Sequence, residues 1–496
     1  MRIIVLIIMI LGVSGSCLAQ IKQVARLELE LYEEGADHTD ILGPHGLIVH
    51  GRINIKGRGD LWSIRRFNTD LKLIDSTGFA ISERMILTQS WLTDDFSALY
   101  FLFTEKAKRT YYKLLRFDTP TGKMSVKEAE LPKGTFFNKM SVVGNSIFLS
   151  GTLDKKTALF LFDFEAGSFT NVNYIPLQKY SVIGMDVPAE EPMLMVTDAK
   201  GMGKGFSFRV SFFDEKGIPT FKPQAVISQP DYYCRSASLT LLGGNEYILT
   251  GSYSQGKKST ANGVYFTRYE NDQQIMLKYH SFSGFKNFYE YLNPRQKERM
   301  EKKAEKKAKK GKEEFIEAYI ASHPVFTFNG NYMYVGEIYY PTYRTEVYYT
   351  TGPNGQMMRQ TRRVFDGYQY THAVVLAMDK DGNKVYDHCF PMWSGFKPMT
   401  VRRFLRIVVG SDQADLLFGN GSTVKGMRIT GNNIAELNYG EIETGNENDK
   451  VRWTSMTQTS YWYDNYFISY GSQSIKNSDE NGKKRRTVFF VTKMQF

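Results

Sequence analysis

Residues able to ligate a metal or attack a substrate are scattered along this chain rather than gathered into a motif. Of its seven histidines only His45 and His50 lie close together. Their odd spacing on strand-like sequence sends the two side chains to opposite faces of a sheet. Asp379-Lys380-Asp381-Gly382 has the opening of a calcium loop, yet the matching slots Asp163–Gly167 and Asp214–Gly217 hold no full ligand set. Tight-turn chemistry accounts for all three. GxxxxGK[ST], HExxH, GxSxG and CxxC are missing from the sequence. No catalytic residue, no cofactor and no metal ligand is therefore assigned. Carboxylates are plentiful, but nothing in their spacing pairs two of them across a cleft, so a glycosidase-like site stands as an alternative.

What does cluster is positive charge, with tyrosine beside it. Lys106, Lys108 and Arg109 form one group, Lys257 and Lys258 a second, and Lys302, Lys303, Lys306 and Lys307 a third. Tyr343, Tyr348, Arg359, Arg362 and Arg363 make a fourth, and Lys483, Lys484, Arg485 and Arg486 a fifth. Such groups attract anions in a salt-dependent way.

The elements that must position these groups are strands. The chain has 496 residues, 42% hydrophobic and 14% aromatic, with 42 Gly against 15 Pro and three Cys. That composition excludes disorder and a disulfide-stapled miniprotein. Apolar and β-branched runs of five to seven residues alternate with Gly, Asn and Asp, which is hairpin chemistry. One unit recurs: a strand, a tight turn, a strand reaching Gly, a polar loop, then a third strand. Asn331–Gly336 with Ala373–Gly382, Ser146–Gly151 with Ala158–Gly167, and Glu246–Gly251 with Gly263–Asp272 show it best. Further copies start near Gly46, Ser97, Met193, Asp415 and Tyr466. With a strand before and after, each unit is a four-stranded propeller blade, its strands A to D running outward from the axis.

The fold expected is all-β: a single large propeller over 20–496, of eight blades with seven as the alternative. The last copy runs out at Phe496 without a D strand, and Gln23–Tyr32 alternates as an unassigned strand that would complete it and close the ring. Two insertions interrupt the rhythm. Residues 283–322 carry a basic helix, opened by Asn293 as cap and Pro294 in the first turn. Residues 341–370 form a protruding hairpin that turns at Gly352-Pro353-Asn354-Gly355.

The repeats resemble bacterial secreted β-propeller repeat proteins, whose units read roughly IYVTG … DAFVAKLDSNG. The resemblance covers nearly the whole mature chain and implies the fold; function is not shared across that class.

Charge sorts by loop type. The B–C loops hold Lys56 and Arg58, the five groups above apart from the helix, and Lys155, Lys156, Lys200, Lys204, Arg344, Lys425 and Lys476. The opposite face, made of A–B and C–D turns, holds Asp94, Asp95, Asp118, Asp163, Asp214, Asp379, Asp381 and Asp464. Basic groups are thus expected on one face of the propeller and carboxylates on the other, in a chain of net charge +11.

Arg2, the apolar run Ile3–Leu11 and Cys17-Leu18-Ala19 read as a signal peptide over 1–19. Export to the periplasm or the outer membrane follows, with acylation of Cys17 as the lesser alternative. Cys234 and Cys389 then remain, read as two buried thiols. The function expected is a non-catalytic binding scaffold of the cell envelope, its basic face taking an envelope protein, an anionic polymer or lipid headgroups. A polysaccharide-active or carbohydrate-binding propeller with carboxylates in the axial funnel is the second reading. No nucleic-acid-binding module is visible.

Overall fold

The computed structural model describes residues 21–495 except 31–37, 56–58, 107–110, 132–134, 175–179, 188–191, 201–207, 226–228, 244, 257, 310–315, 352–353 and 478–484. The proposed signal and Cys17 lie outside these. The strands pair into eight antiparallel sheets. Seven are contiguous in sequence: 38–81, 85–130, 136–171, 180–225, 232–281, 319–391 and 406–441. The eighth combines 449–495 with Lys22–Glu30. In blades 5 and 6 the inner strand is broken in two, as Tyr232–Cys234 and Ser238–Gly243 in one and Tyr319–Ser322 and Phe326–Phe328 in the other.

The B strands begin at Leu47, Ala98, Ser146, Leu194, Glu246, Asn331, Ala414 and Tyr466. Each lies between two neighbouring sheets and is apolar on both faces for that reason. Every residue of Ala98–Thr104, for example, is buried. The B-strand glycine is a matter of steric approach. A Cβ on Gly151 would sit 1.9 Å from the carbonyl oxygen of Phe136, and one on Gly251 would sit 2.0 Å from that of Ser236. The A strand therefore crosses there only over glycine.

Burial shows that the sheets close into a ring. The apolar core divides into eight clusters, one at each junction between consecutive blades. The junction of blade 8 with blade 1 holds Trp462, Ile468 and Val491 against Leu47, Val49 and Phe67. Trp462 Nε1 also donates to Gly46 O at 3.0 Å across that junction. The closing strand Lys22–Glu30 runs antiparallel to Arg485–Gln495, from Lys22 opposite Gln495 to Glu30 opposite Val488. The ring is an eight-bladed propeller, not a seven-bladed one.

The basic insertion contains the helix Pro294–Ala308. Asn293 Oδ1 accepts from Gln296 N at 2.9 Å, and Asn293 N donates back to Gln296 Oε1 at 3.4 Å, a reciprocal cap. The segment before the helix is anchored: Phe282, Phe285 and Phe288 are buried between blades 5 and 6. Among the described residues no helix is long and apolar enough to cross a membrane.

Candidate functional surface

The B and C strands of blade 6, Asn331–Thr351 and Met357–Met378, outrun the rest of their sheet. The A strand stops pairing at Tyr319 opposite Tyr339, and the D strand at Pro391 opposite His372. Beyond those points the pair continues as a two-stranded arm, from Tyr343 opposite Phe365 to Thr351 opposite Met357.

Strand alternation divides the arm into two faces. One carries Tyr343, Val347 and Tyr349 with Phe365, Arg363, Arg359 and Met357. Arg363 lies over the Tyr343 ring at 4.8 Å, and no carboxylate shares this face. The other carries Arg344, Glu346 and Tyr348 with Arg362 and Met358. Glu346 takes Arg344 at 2.8 Å and Arg362 at 2.9 Å, and the two guanidinium groups hold its carboxyl below the ordinary glutamate range. Tyr349 is 61% exposed and Met357 69%, values that leave these side chains without a packing role. At the root Tyr339 behaves otherwise, whereas Tyr340 is exposed. Tyr339 is partly buried among Tyr319, Tyr368 and Tyr370 of its own blade.

Beside the arm runs the connection from blade 6 to blade 7, residues 392–405, which exposes Trp393, Phe396, Met399 and Val401. It is tied to the arm's root. Tyr368 N donates to Pro398 O at 2.9 Å, Gln369 Nε2 to Ser394 O at 2.8 Å, and Lys397 pairs with Asp366 at 3.0 Å. Gly367, at φ 90°, passes so near that a Cβ would stand 2.6 Å from Lys397 O. Arg402 stacks over Phe396 at 5.0 Å and Phe404 at 4.7 Å, and its Nε has no hydrogen-bond partner among the described residues. B–C and D–A connections share one face of a propeller, so arm, connection and basic helix all emerge on the same side.

The other cations read from sequence are placed as follows. Lys108, Arg109, Lys257, Lys483 and Lys484 lie outside the described residues, as do Lys56, Arg58 and Lys204. Lys106 follows the B strand of blade 2 and lines an open cavity of about 580 Å³ with Arg52, Asp60 and Arg84. Lys258 pairs with Glu317, and Lys302 with Glu298 at 2.5 Å on the exposed helix that also carries Lys303, Lys306 and Lys307. Lys156, Lys425, Lys476, Arg485 and Arg486 are strand residues rather than loop residues. Lys425 Nζ lies over the Phe390 ring at 5.4 Å. Arg485 Nε donates to Ser474 Oγ at 2.7 Å, and Arg486 is held by Asp449 and Glu28. Sequence grouped these two with free loop cations; their partners come from other strands of blade 8 and carry no local signal.

Five carboxylates are buried among the described residues, and none shares a partner with another. Asp60 takes Arg52 and Asn54 at 2.9 Å each, and Asp198 takes Arg209 and Tyr174. Glu337 takes His323 at 2.7 Å and the backbone N–H groups of Phe404 and Leu405 at 2.9 Å. Asp387 takes Lys384 at 3.0 Å and Asn287 N at 2.9 Å, and Asp415 takes Arg428 at 2.8 Å. These five are satisfied as structural groups, which is what burial of a charge demands. Asp186, by contrast, is enclosed at the end of the blade 4 A strand, and burial raises its carboxyl above the ordinary aspartate range against the pull of Arg403 and Lys139. Sequence missed Glu337 because its backbone donors lie in the connection that leads to the next blade.

His45 sits in a 3-10 turn, not a strand, while His50 is buried and bonded to Asp40 at 2.8 Å. Among the described residues no group of three metal-ligating side chains occurs. Cys234 and Cys389 are buried free thiols, and burial pushes both up to about 12.

No family model and no curated protein sequence matches the chain. Solved structures of similar shape do exist. The polysaccharide lyase Uly1 is 8% identical, with 84% of this chain and 91% of that chain covered and a TM-score of 0.39. A prolyl endopeptidase is 10% identical, with 90% and 54% covered and a TM-score of 0.40. The Dos1 propeller is 10% identical, with 80% and 75% covered and a TM-score of 0.37. At such values the fold assignment rests on the strand pairing itself, and no activity passes to this chain.

Proposed function

We propose that this protein is an exported, non-catalytic binding scaffold of the cell envelope, docking another envelope protein through the blade 6 arm and the connection beside it. The supporting observation is the arm: a strand pair carried past its own sheet, exposing Tyr343, Tyr348, Tyr349 and Met357 among four arginines. Exposed aromatic side chains beside Arg have the composition of interface anchors. Apolar side chains held out on both faces of a two-stranded arm need a reason of this kind. Basic groups on the same face would speed encounter with an anionic partner and make it salt-sensitive. Asp60, Asp198, Glu337, Asp387 and Asp415 are each committed to structural partners.

The test replaces residues 343–365 by a short Gly-containing turn and sizes the protein in native envelope extracts. Wild type should travel in a larger assembly, and the arm-less variant alone, at an unchanged melting temperature. An unaltered assembly without the arm would reject the proposal.

A further inference from the structure

We infer that the free edge of the arm's B strand accepts an added β-strand from an acidic polypeptide. This rests on the docking reading above and names the partner's chemistry.

The two edges of the arm are not equivalent. On the C-strand side the root is covered, because Tyr368 N is taken by Pro398 O and Gly367 abuts Lys397 O. On the B-strand side the A strand ends at Tyr319, and the chain before it turns away: Ala318 pairs with Ala261, and Glu317 reaches Lys258. From Tyr340 to Thr351 no described strand lies alongside. Pro341, which has no N–H to offer a ladder, stands where this edge begins. Above it, Tyr343–Thr351 contains neither Pro nor Lys, the residues that usually blunt an exposed edge. Nine extended residues offer an edge about 30 Å long.

The side chains flanking that edge define the visitor. On one face it would run beside Tyr343, Val347 and Tyr349, which favour aromatic or β-branched neighbours across strands. Arg363, folded over Tyr343, brings a guanidinium toward the same edge, and Arg359 lies opposite Tyr349. On the other face Arg344 stands on the edge strand itself. The arm has four arginines against Glu346, since Asp366 is held by Lys397 at the root. A strand alternating carboxylates with Val or Tyr satisfies both the apolar side chains and the guanidinium groups, while its backbone supplies the ladder. A second copy of this chain would set Arg against Arg and carries the same +11 charge.

The probe is a synthetic peptide of alternating Glu with Val and Tyr, titrated into the full chain by fluorescence anisotropy. Its backbone N-methylated counterpart keeps every side chain but cannot form a ladder. Poly-glutamate supplies charge alone. The alternating peptide should bind saturably, at least tenfold more tightly than either control, and Arg359→Glu with Arg363→Glu should abolish binding. Equal binding of all three probes would overturn strand addition in favour of a plain anionic polymer site. No binding of the alternating peptide, with an assembly that still needs the arm, would overturn the acidic strand and leave the docking reading standing.

Discussion

Arg486 Nη2 lies 3.1 Å from Glu28 Oε2, so the last strand of the chain and its first are joined by charge as well as by their backbone ladder. Asp449, at the start of the A strand, takes the same guanidinium at 3.0 Å, and that hydrogen bond pulls its carboxyl below the ordinary aspartate range. Arg26 extends the seam, stacked over Phe490 at 4.9 Å and bonded to Gln473 at 2.6 Å. Because Arg486 is part-exposed, Arg486→Ala should cost about 1 kcal/mol. Deleting residues 21–30 removes Ile21, Leu27 and Leu29 from the core and should cost several times more, lowering the urea midpoint clearly. Equal midpoints for the deletion and wild type would show that the ring does not depend on this strand.

Acid should weaken the fold through its buried histidines. His372 is 1% exposed, stacked on Tyr291 at 3.8 Å and edge-on to Phe288, and burial lowers its pKa to about 3. Unfolded, it takes a proton near pH 6.5; folded, it does not. Stability from this group is complete above that pH and lost progressively as pH falls, by about 2 kcal/mol at pH 5. His323 adds in the same direction, since burial outweighs the pull of Glu337. His372→Phe should flatten the fall in stability between pH 7 and 5. Thr371 Oγ1 keeps a second acceptor, Ile338 O at 3.4 Å, so the variant leaves that hydroxyl satisfied. An identical pH profile in the variant would refute the assignment.

The helix and the segment that delivers it should respond oppositely to mutation. Pro294–Ala308 is charged and solvent-facing, its ion pair Lys302–Glu298 lying on an exposed surface that contributes little. Removing 294–308 with a Gly/Ser bridge should leave the melting temperature nearly unchanged. Phe288→Ala, only a turn before the helix, should cost about 3 kcal/mol because that ring fills the junction between blades 5 and 6. A helix deletion as damaging as Phe288→Ala would mean that the helix packs on the ring.

Blade number and the helix cap were legible because each is written locally, and ring closure because the last unit ran out at Phe496 while Gln23–Tyr32 belonged to no other unit. An apolar run buried on both faces, a glycine where strands cross, and Asn293 before Pro294 need no knowledge of distant residues. The fate of individual charges was not legible. Arg486 reads in sequence as the last cation of a basic run, yet it is claimed by Glu28, 458 residues away. Glu337 likewise reads as one more strand residue until the N–H groups of Phe404 and Leu405 reach it from the connection to blade 7. Local pattern determines which strands form; partners across blade junctions determine which charges remain free.

The acidic turns of the opposite face owe their carboxylates to backbone geometry, and this sets the control for any charge experiment. Asp163 Oδ1 accepts from Glu165 N at 2.9 Å and Ala166 N at 3.0 Å. Asp214 Oδ1 accepts from Lys216 N at 2.9 Å and Ile218 N at 2.8 Å, and Asp118 Oδ1 from Thr121 N at 2.9 Å. Asparagine keeps that acceptor while removing the charge, whereas lysine would remove both and unravel the turns. Asp118→Asn, Asp163→Asn and Asp214→Asn together should therefore leave stability within about 1 kcal/mol of wild type and leave capture of an acidic peptide unimpaired. Arg359→Gln with Arg363→Gln should slow that capture several-fold, and raising salt should erase the difference, since screening acts beyond about 8 Å at physiological ionic strength. Equal slowing by the two sets of variants would mean that binding senses overall charge rather than the arm.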